Sequence, residues 1–170
     1  LRSLVSAVSP SVLGGGPTTP GFVPGTGSEY YSNAVNPTLS HERFYEAHDL
    51  FRRAWKEIGP FQYRGRHYQF DYVNLWPRPL QKPHPPVILG GAFPWAARRA
   101  VRYGDGWYPN ASSGNPEEYV PAFRRMAGEA GRDPKSLSLR LGGAPDDADK
   151  RKHFRDIGVD AVNGTTPPET

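Results

Sequence analysis

Between positions 44 and 58 the apolar residues Phe44, Ala47, Leu50, Phe51, Ala54, Trp55 and Ile58 recur at three- and four-residue spacing. That period predicts an amphipathic helix with one buried stripe. Ser40 stands where an N-cap is expected, and Glu42 falls in the first turn, where a negative charge suits the helix dipole. Gly59-Pro60 ends the pattern. Residues 61–75, FQYRGRHYQFDYVNL, then alternate aromatic and polar positions about a central Gly65, which predicts a hairpin or an extended excursion. Pro77, Pro79, Pro83, Pro85 and Pro86 follow and force an extended path that cannot join a central sheet.

Beyond the prolines the pattern changes. Val87-Ile88-Leu89 is a continuous apolar run, as in a strand buried on both faces of a parallel sheet. Pro94 suits the first turn of a helix and Gly104 its stop. Asp105 to Tyr108 reads as a second short strand. Asn115-Pro116 opens a helix towards Gly131 with Phe123, Met126, Ala127 and Ala130 on its buried face. Pro121 lies inside it, so the regular part is expected to begin there. Leu137 to Leu141 alternates as a third strand and ends at Gly142-Gly143. A short helix over 146–157 carries Phe154 and Ile157 and closes at Gly158; a last strand runs from Val159 to Val162. Residues 1–38 read as loops, apart from a short strand at Gly21-Phe22-Val23 ending in Pro24-Gly25-Thr26-Gly27. Helix and strand alternate throughout, every crossover is of βαβ type, and the sheet is expected to be parallel. An open doubly wound sheet and a (β/α)8 barrel both fit. A full barrel takes about 250 residues, so this chain would hold only part of one.

Composition narrows the function classes. At 170 residues the expectation is one domain. The hydrophobic share of 36%, with 19 Gly and 19 Pro, suggests a loop-rich chain or one lacking part of its core. No apolar run is long enough to span a membrane, and the opening LRSLVSAVSPSVLGGG is too broken by Ser and Pro for a good signal peptide. The first residue is Leu rather than Met, which suggests that an N-terminal part is missing. The absence of cysteine excludes disulfides, thiolate metal sites and cysteine nucleophiles, and fits a cytoplasmic protein. The net charge of +4 is scattered, with Arg98, Arg99 and Arg102 on one helix and Lys150-Arg151-Lys152 in one short run. Solvated helix faces explain this pattern, and no motif supports nucleic-acid binding. His41, His48, His67, His84 and His153 are dispersed without metal-ligand spacing, so no metal site is expected. Asp146, Asp147 and Asp149 lack the EF-hand pattern and read as a helix start.

The strongest candidate chemistry lies in Gly90, Gly91 and Ala92. They follow a strand and precede a helix, the position where backbone N–H groups bind phosphate in α/β proteins. A tight strand-to-helix turn without a ligand is the other reading of the same residues. Trp76, Trp95 and Trp107 flank this turn in sequence, as walls of a site or as core. Asp105 is expected to orient neighbouring backbone rather than act as a general acid.

SEYYSNAVNPTLSHERFYEAHDLFRRAW, FQYRGRHYQF, WPRPLQKPHPPVILGG, AARRAVRYGDGWYP, EAGRDP, LRLGGAP and FRDIGVDAV follow one another in this order. Together they resemble the luciferase-like flavin-dependent monooxygenases and their relatives that use the deazaflavin F420, over roughly residues 21–163. Residues 1–20 are then a lead-in and 164–170 a tail to a single partial domain. The part before Pro86 looks more like the flavin branch, and the part after it more like the F420 branch. The resemblance implies the later part of a (β/α)8 TIM barrel with its cofactor, FMN or F420, at the carboxyl ends of the strands. It implies a cofactor contact at Gly90-Gly91-Ala92 and a phosphate contact at Arg43 in SHERF, with His41 nearby. Pro24 departs from the family, where an arginine commonly follows the matching strand. The implied activities are oxygenation of a small organic substrate by reduced FMN and dioxygen, or hydride transfer between F420 and substrate. The family's catalytic side chains lie largely on earlier strands, so no catalytic residue is assigned. The other class of reading is a non-catalytic barrel fragment that keeps at most a phosphate-binding turn. Its open sheet edges would favour a homo-oligomer.

Overall fold

The computed structural model describes residues 19–24, 27–32 and 36–164. The chain divides into two compact units, residues 1–85 and 86–170.

In the first unit, β1 (Gly21–Phe22) precedes a six-residue helix α1 (Gly27–Ser32), which lies in a stretch the sequence pattern assigns to loops. A 3-10 turn, Pro37–Leu39, leads into α2 (Ser40–Lys56). Ser40 is the first helical residue and not the cap; Leu39 holds the cap position without a side-chain bond. The capping chemistry sits one turn earlier, where Asn36 Oδ1 accepts from the Thr38 N–H at 3.0 Å. The apolar stripe of α2 buries His48, Leu50, Ala54 and Trp55. The stripe stops before Ile58, which is 93% exposed. Glu57 has already turned extended, at φ −71 and ψ 131, on the approach to Gly59-Pro60. The expected hairpin forms from β2 (Phe61–Arg64) and β3 (Gln69–Val73), paired antiparallel with Tyr63 opposite Phe70. Its tip is tied to α2 by one carboxylate. Glu46 accepts from the N–H groups of Arg66 at 3.0 Å, His67 at 3.0 Å and Tyr68 at 2.7 Å.

The second unit is a βαβ series. β4 (Ile88–Gly90), α3 (Trp95–Tyr103), β5 (Gly106–Tyr108), α4 (Pro116–Glu129), β6 (Ser138–Ala144), α5 (Ala148–Asp156) and β7 (Ala161–Gly164) alternate along the chain. The strands are all parallel, in the order β4-β5-β6-β7. Trp107, Phe123, Leu89, Leu137, Leu139, Leu141 and Val120 fill the core. The continuous apolar run at Val87-Ile88-Leu89 is buried, as in a parallel strand covered on both faces.

Several boundaries differ from the sequence expectation. α4 is regular from Pro116 and passes through Pro121, which is exposed, so water can serve the carbonyl that loses its intrahelical donor. β6 does not end at Gly142-Gly143 but continues to Ala144, held by parallel pairing of Gly142 with Asn163. The last strand begins at Ala161 rather than Val159.

Two arginines tie these elements together. Arg124 on α4 donates to the carbonyls of Pro134 at 2.7 Å, Leu137 at 2.5 Å and Gly158 at 2.9 Å. Arg132 donates to Val101 at 2.9 Å and Gly104 at 2.7 Å, satisfying carbonyls at the end of α3. Asp147 caps α5 by accepting from the Lys150 N–H at 3.0 Å. That bond holds its carboxyl below the usual carboxylate range. Among the described residues no helix is long and apolar enough to cross a membrane.

Candidate functional site

Parallel pairing puts the carboxyl ends of β4, β5 and β6 along one edge of the sheet. Gly90 is the last residue of β4 and is buried; Gly91 and Ala92 emerge exposed. Gly91 adopts φ +125, a backbone region that side chains rarely reach, and a Cβ there would stand 3.0 Å from the Ala96 Cβ. Its peptide is fixed from the core side. The Trp107 indole N–H donates to the Gly91 carbonyl at 3.0 Å. The chain then enters α3, where Ala92 O accepts from Ala96 N at 3.1 Å and Pro94 O from Arg98 N at 3.0 Å.

Three donors remain at this turn. The N–H groups of Ala92, Phe93 and Trp95 have no acceptor among the described residues. The first turn of α3 carries no acidic side chain, so nothing on that turn neutralises the positive end of its dipole. A guanidinium borders the turn from behind: Arg99 Nη2 lies 3.6 Å from the position a Gly91 Cβ would take. The turn therefore offers exposed backbone donors and positive potential, the two properties an anion requires.

The neighbouring strand ends continue the same surface. Asn110, just beyond β5, bridges to Gly142 on β6. The Gly142 N–H donates to the Pro109 carbonyl at 3.0 Å. A Cβ on Gly142 would lie 2.5 Å from the Tyr108 hydroxyl, so the absence of a side chain there seats Tyr108 on β6. The Asn110 carboxamide accepts from the Ser112 N–H at 2.9 Å and closes the following turn. Beneath this edge lies an aromatic floor. Trp107 packs on Tyr119 and on Phe123, each with centroids 5.2 Å apart, and Phe93 lies 6.2 Å from Trp107. The Tyr119 hydroxyl is enclosed and has no partner among the described residues. Burial pushes its pKa up to about 12.

Gly90, Gly91 and Ala92 thus form one turn at the carboxyl edge. Arg43 belongs to the other unit; it is half-buried on α2 with its guanidinium 5.4 Å from the centroid of the Tyr68 ring. His41 is exposed on the first turn of α2. His84 is buried, stacks on Trp55 at 6.1 Å and donates from Nδ1 to the Pro85 carbonyl at 2.9 Å. Asp105 is structural: its carboxylate accepts from the Val87 N–H at 2.8 Å, and its own carbonyl accepts from Ser138 N at 2.9 Å. Of the three tryptophans, Trp107 is core, while Trp76 and Trp95 are 67% and 72% exposed. Arg98 places its guanidinium 5.2 Å from the Trp95 ring.

The sequence pattern did not single out Arg99, Tyr108 or Asn110. It did contain a signal for β6: Gly142-Gly143 repeats, one βαβ unit later, the strand-then-Gly-Gly order of Gly90-Gly91. Among the described residues no group of three or more His, Asp or Glu side chains is arranged to hold a metal.

Residues 21–155 match the family model described as luciferase-like monooxygenase. An F420-dependent hydroxymycolic acid dehydrogenase of Mycobacterium tuberculosis is 32% identical over 121 residues, which is 68% of this chain and 33% of the relative. An FMNH2-dependent dimethylsulfone monooxygenase of Pseudomonas putida is 36% identical over 80 residues, 45% of this chain and 22% of the relative. Among solved structures, a monooxygenase from Streptomyces bottropensis superposes with a TM-score of 0.69 at 22% identity, covering 91% of this chain and 50% of that one. An F420-dependent secondary alcohol dehydrogenase in complex with an F420-acetone adduct gives 0.70 at 21% identity, covering 88% of this chain and 47% of that one. The chain spans about a third of the length of the first of these curated relatives and about half of the solved chains.

Proposed function

The chain belongs to the luciferase-like monooxygenase family, and on that premise we propose that it is the later part of a (β/α)8-barrel oxidoreductase that uses FMN or F420 on a small organic substrate. The observation that carries this reading is the exposed Gly91-Ala92 turn at the carboxyl edge of a parallel sheet, with three backbone donors and the start of α3. The relatives' dependence on reduced FMN or on F420 supports the choice of cofactor class.

The residues present fit the phosphate-bearing end of such a group. Gly91 leaves the space a side chain would fill, and the N–H groups of Ala92, Phe93 and Trp95 are oriented by the helix start. Arg99 adds fixed positive charge behind them. Arg43, in the first unit, is proposed by itself as a phosphate contact. The bound cofactor would supply the redox chemistry itself, with dioxygen for a reduced flavin or by hydride exchange for a deazaflavin. This chain's residues bind and orient it: the Trp107–Gly91 hydrogen bond keeps the turn rigid, and the Phe93, Trp107 and Tyr119 floor excludes water from beneath.

Fluorescence titration of the full chain with FMN, and separately with F420, tests the reading. Binding of one cofactor in the micromolar range, weakened by millimolar inorganic phosphate, is the expected result. Absence of binding of either at high micromolar concentration would show that this chain has no autonomous cofactor site.

A further inference from the structure

A second groove lies in the first unit, built from the end of α2 and the proline-rich segment. It encloses about 370 Å³ and is lined by Trp55, Lys56, Ile58, Trp76, Arg78, Lys82 and Pro83. That volume is within the range of small-ligand pockets. Its chemistry is one-sided: three cations line it and no carboxylate does. Three other cations of this unit are matched. Arg53 pairs with Glu57 at 2.7 Å, Arg66 with Glu42 at 2.7 Å, and Arg64 with Asp71. Among the described residues, Lys56, Arg78 and Lys82 form no ion pair.

The apolar part of the groove is equally specific. Ile58 is 93% exposed because α2 stops short of it, and Trp76 is 67% exposed. The Arg78 guanidinium lies 5.8 Å from the centroid of the Trp76 ring, so a cation and an aromatic face stand side by side. Trp55 closes the floor, nearly fully buried against Phe51 and His84. Its Nε1–H is enclosed and has no acceptor among the described residues. Another groove, on the unit that carries the glycine turn, is a weaker candidate because Glu129 lines it beside its arginines.

We propose that the groove between Trp55, Ile58, Trp76, Arg78 and Lys82 binds a small aromatic anion, a flat apolar body bearing a carboxylate or sulfonate. The ring lies against Trp76 and Ile58, and the acid group meets Arg78, Lys82 and Lys56. The groove is built from other residues than the glycine turn and does not depend on the cofactor reading.

The test is an NMR titration of the full chain with 2-naphthoate, following the indole N–H signals of its four tryptophans. Neutral 2-naphthylmethanol is the matched probe without charge. The Trp55 and Trp76 signals are expected to shift with a millimolar or tighter dissociation constant, while those of Trp95 and Trp107 stay in place. The naphthylmethanol should bind about tenfold more weakly, and Arg78→Gln with Lys82→Gln should cost naphthoate a similar factor. Arg66→Gln, which removes a cation outside the groove, should leave binding unchanged; circular dichroism verifies that each variant is folded. Equal affinity for the neutral probe, an equal loss in Arg66→Gln, shifts led by Trp95 or Trp107, or no binding at millimolar naphthoate would each overturn the proposal.

Discussion

Tyr119 makes the role of a single buried polar atom testable. Its ring belongs to the aromatic floor, but its hydroxyl is enclosed without a partner. Removing an unsatisfied buried hydroxyl costs no hydrogen bond, so Tyr119→Phe should leave thermal stability unchanged or raise it by up to about 1 kcal/mol. Tyr63 differs, because its hydroxyl donates to the Glu46 carbonyl at 3.0 Å. Burial, then the nearby Asp49 charge, pushes its pKa up to about 12. Both phenols therefore hold their protons more tightly folded than unfolded, where the value is 10.0. Their contribution is complete below pH 10 and is lost as pH rises towards 12. Alkaline unfolding followed by phenolate absorbance should show two tyrosines titrating late, together with loss of structure; Tyr119→Phe should remove one of them. At the glycine edge, a Gly142→Ala methyl would enter space held by the Tyr108 hydroxyl. A loss of about 1 kcal/mol in a denaturant melt is expected from the forced shift.

At the level of elements, local order was readable where one period ran uninterrupted. The α2 stripe and the Val87-Ile88-Leu89 strand are of that kind, as is the aromatic hairpin about Gly65. Ser40, Ile58 and the end of β6 depart from the periodic pattern because each boundary depends on a neighbour outside it. Asn36 caps the turn before α2, Glu57 leaves the helix early, and Asn163 extends the pairing of β6. Long-range polar ties leave no periodic trace, so the roles of Glu46, Arg124 and Arg132 were not legible at all. Glu46 reaches three successive N–H groups 20 to 22 residues away. Glu46→Ala should free the hairpin tip from α2 and cost about 2 kcal/mol in a thermal melt, whereas Glu46→Gln keeps an acceptor oxygen and should cost less. The exposed Glu42–Arg66 pair should contribute far less, with Glu42→Gln within about 0.5 kcal/mol of the parent.

On the scale of the whole molecule, the alternation of helix and strand was enough to give a parallel α/β architecture. It was not enough to choose between an open sheet and a barrel. The family match and the superposition on relatives about twice as long support the barrel reading. The candidate site was half legible. Gly90, Gly91 and Ala92 stand together by chain order alone, because a strand end, a glycine pair and a helix start follow one another there. Arg99 was hidden among three helix arginines of similar appearance, and its place behind Gly91 emerges only when α3 is folded onto the strand end. The central claim is that this turn receives the anionic end of FMN or F420. The most direct measurement is amide NMR of the full chain during titration with each cofactor. The account predicts the largest shifts at the N–H groups of Ala92, Phe93 and Trp95, and their loss in Gly91→Val. Cofactor saturation with those three amides unmoved would contradict it.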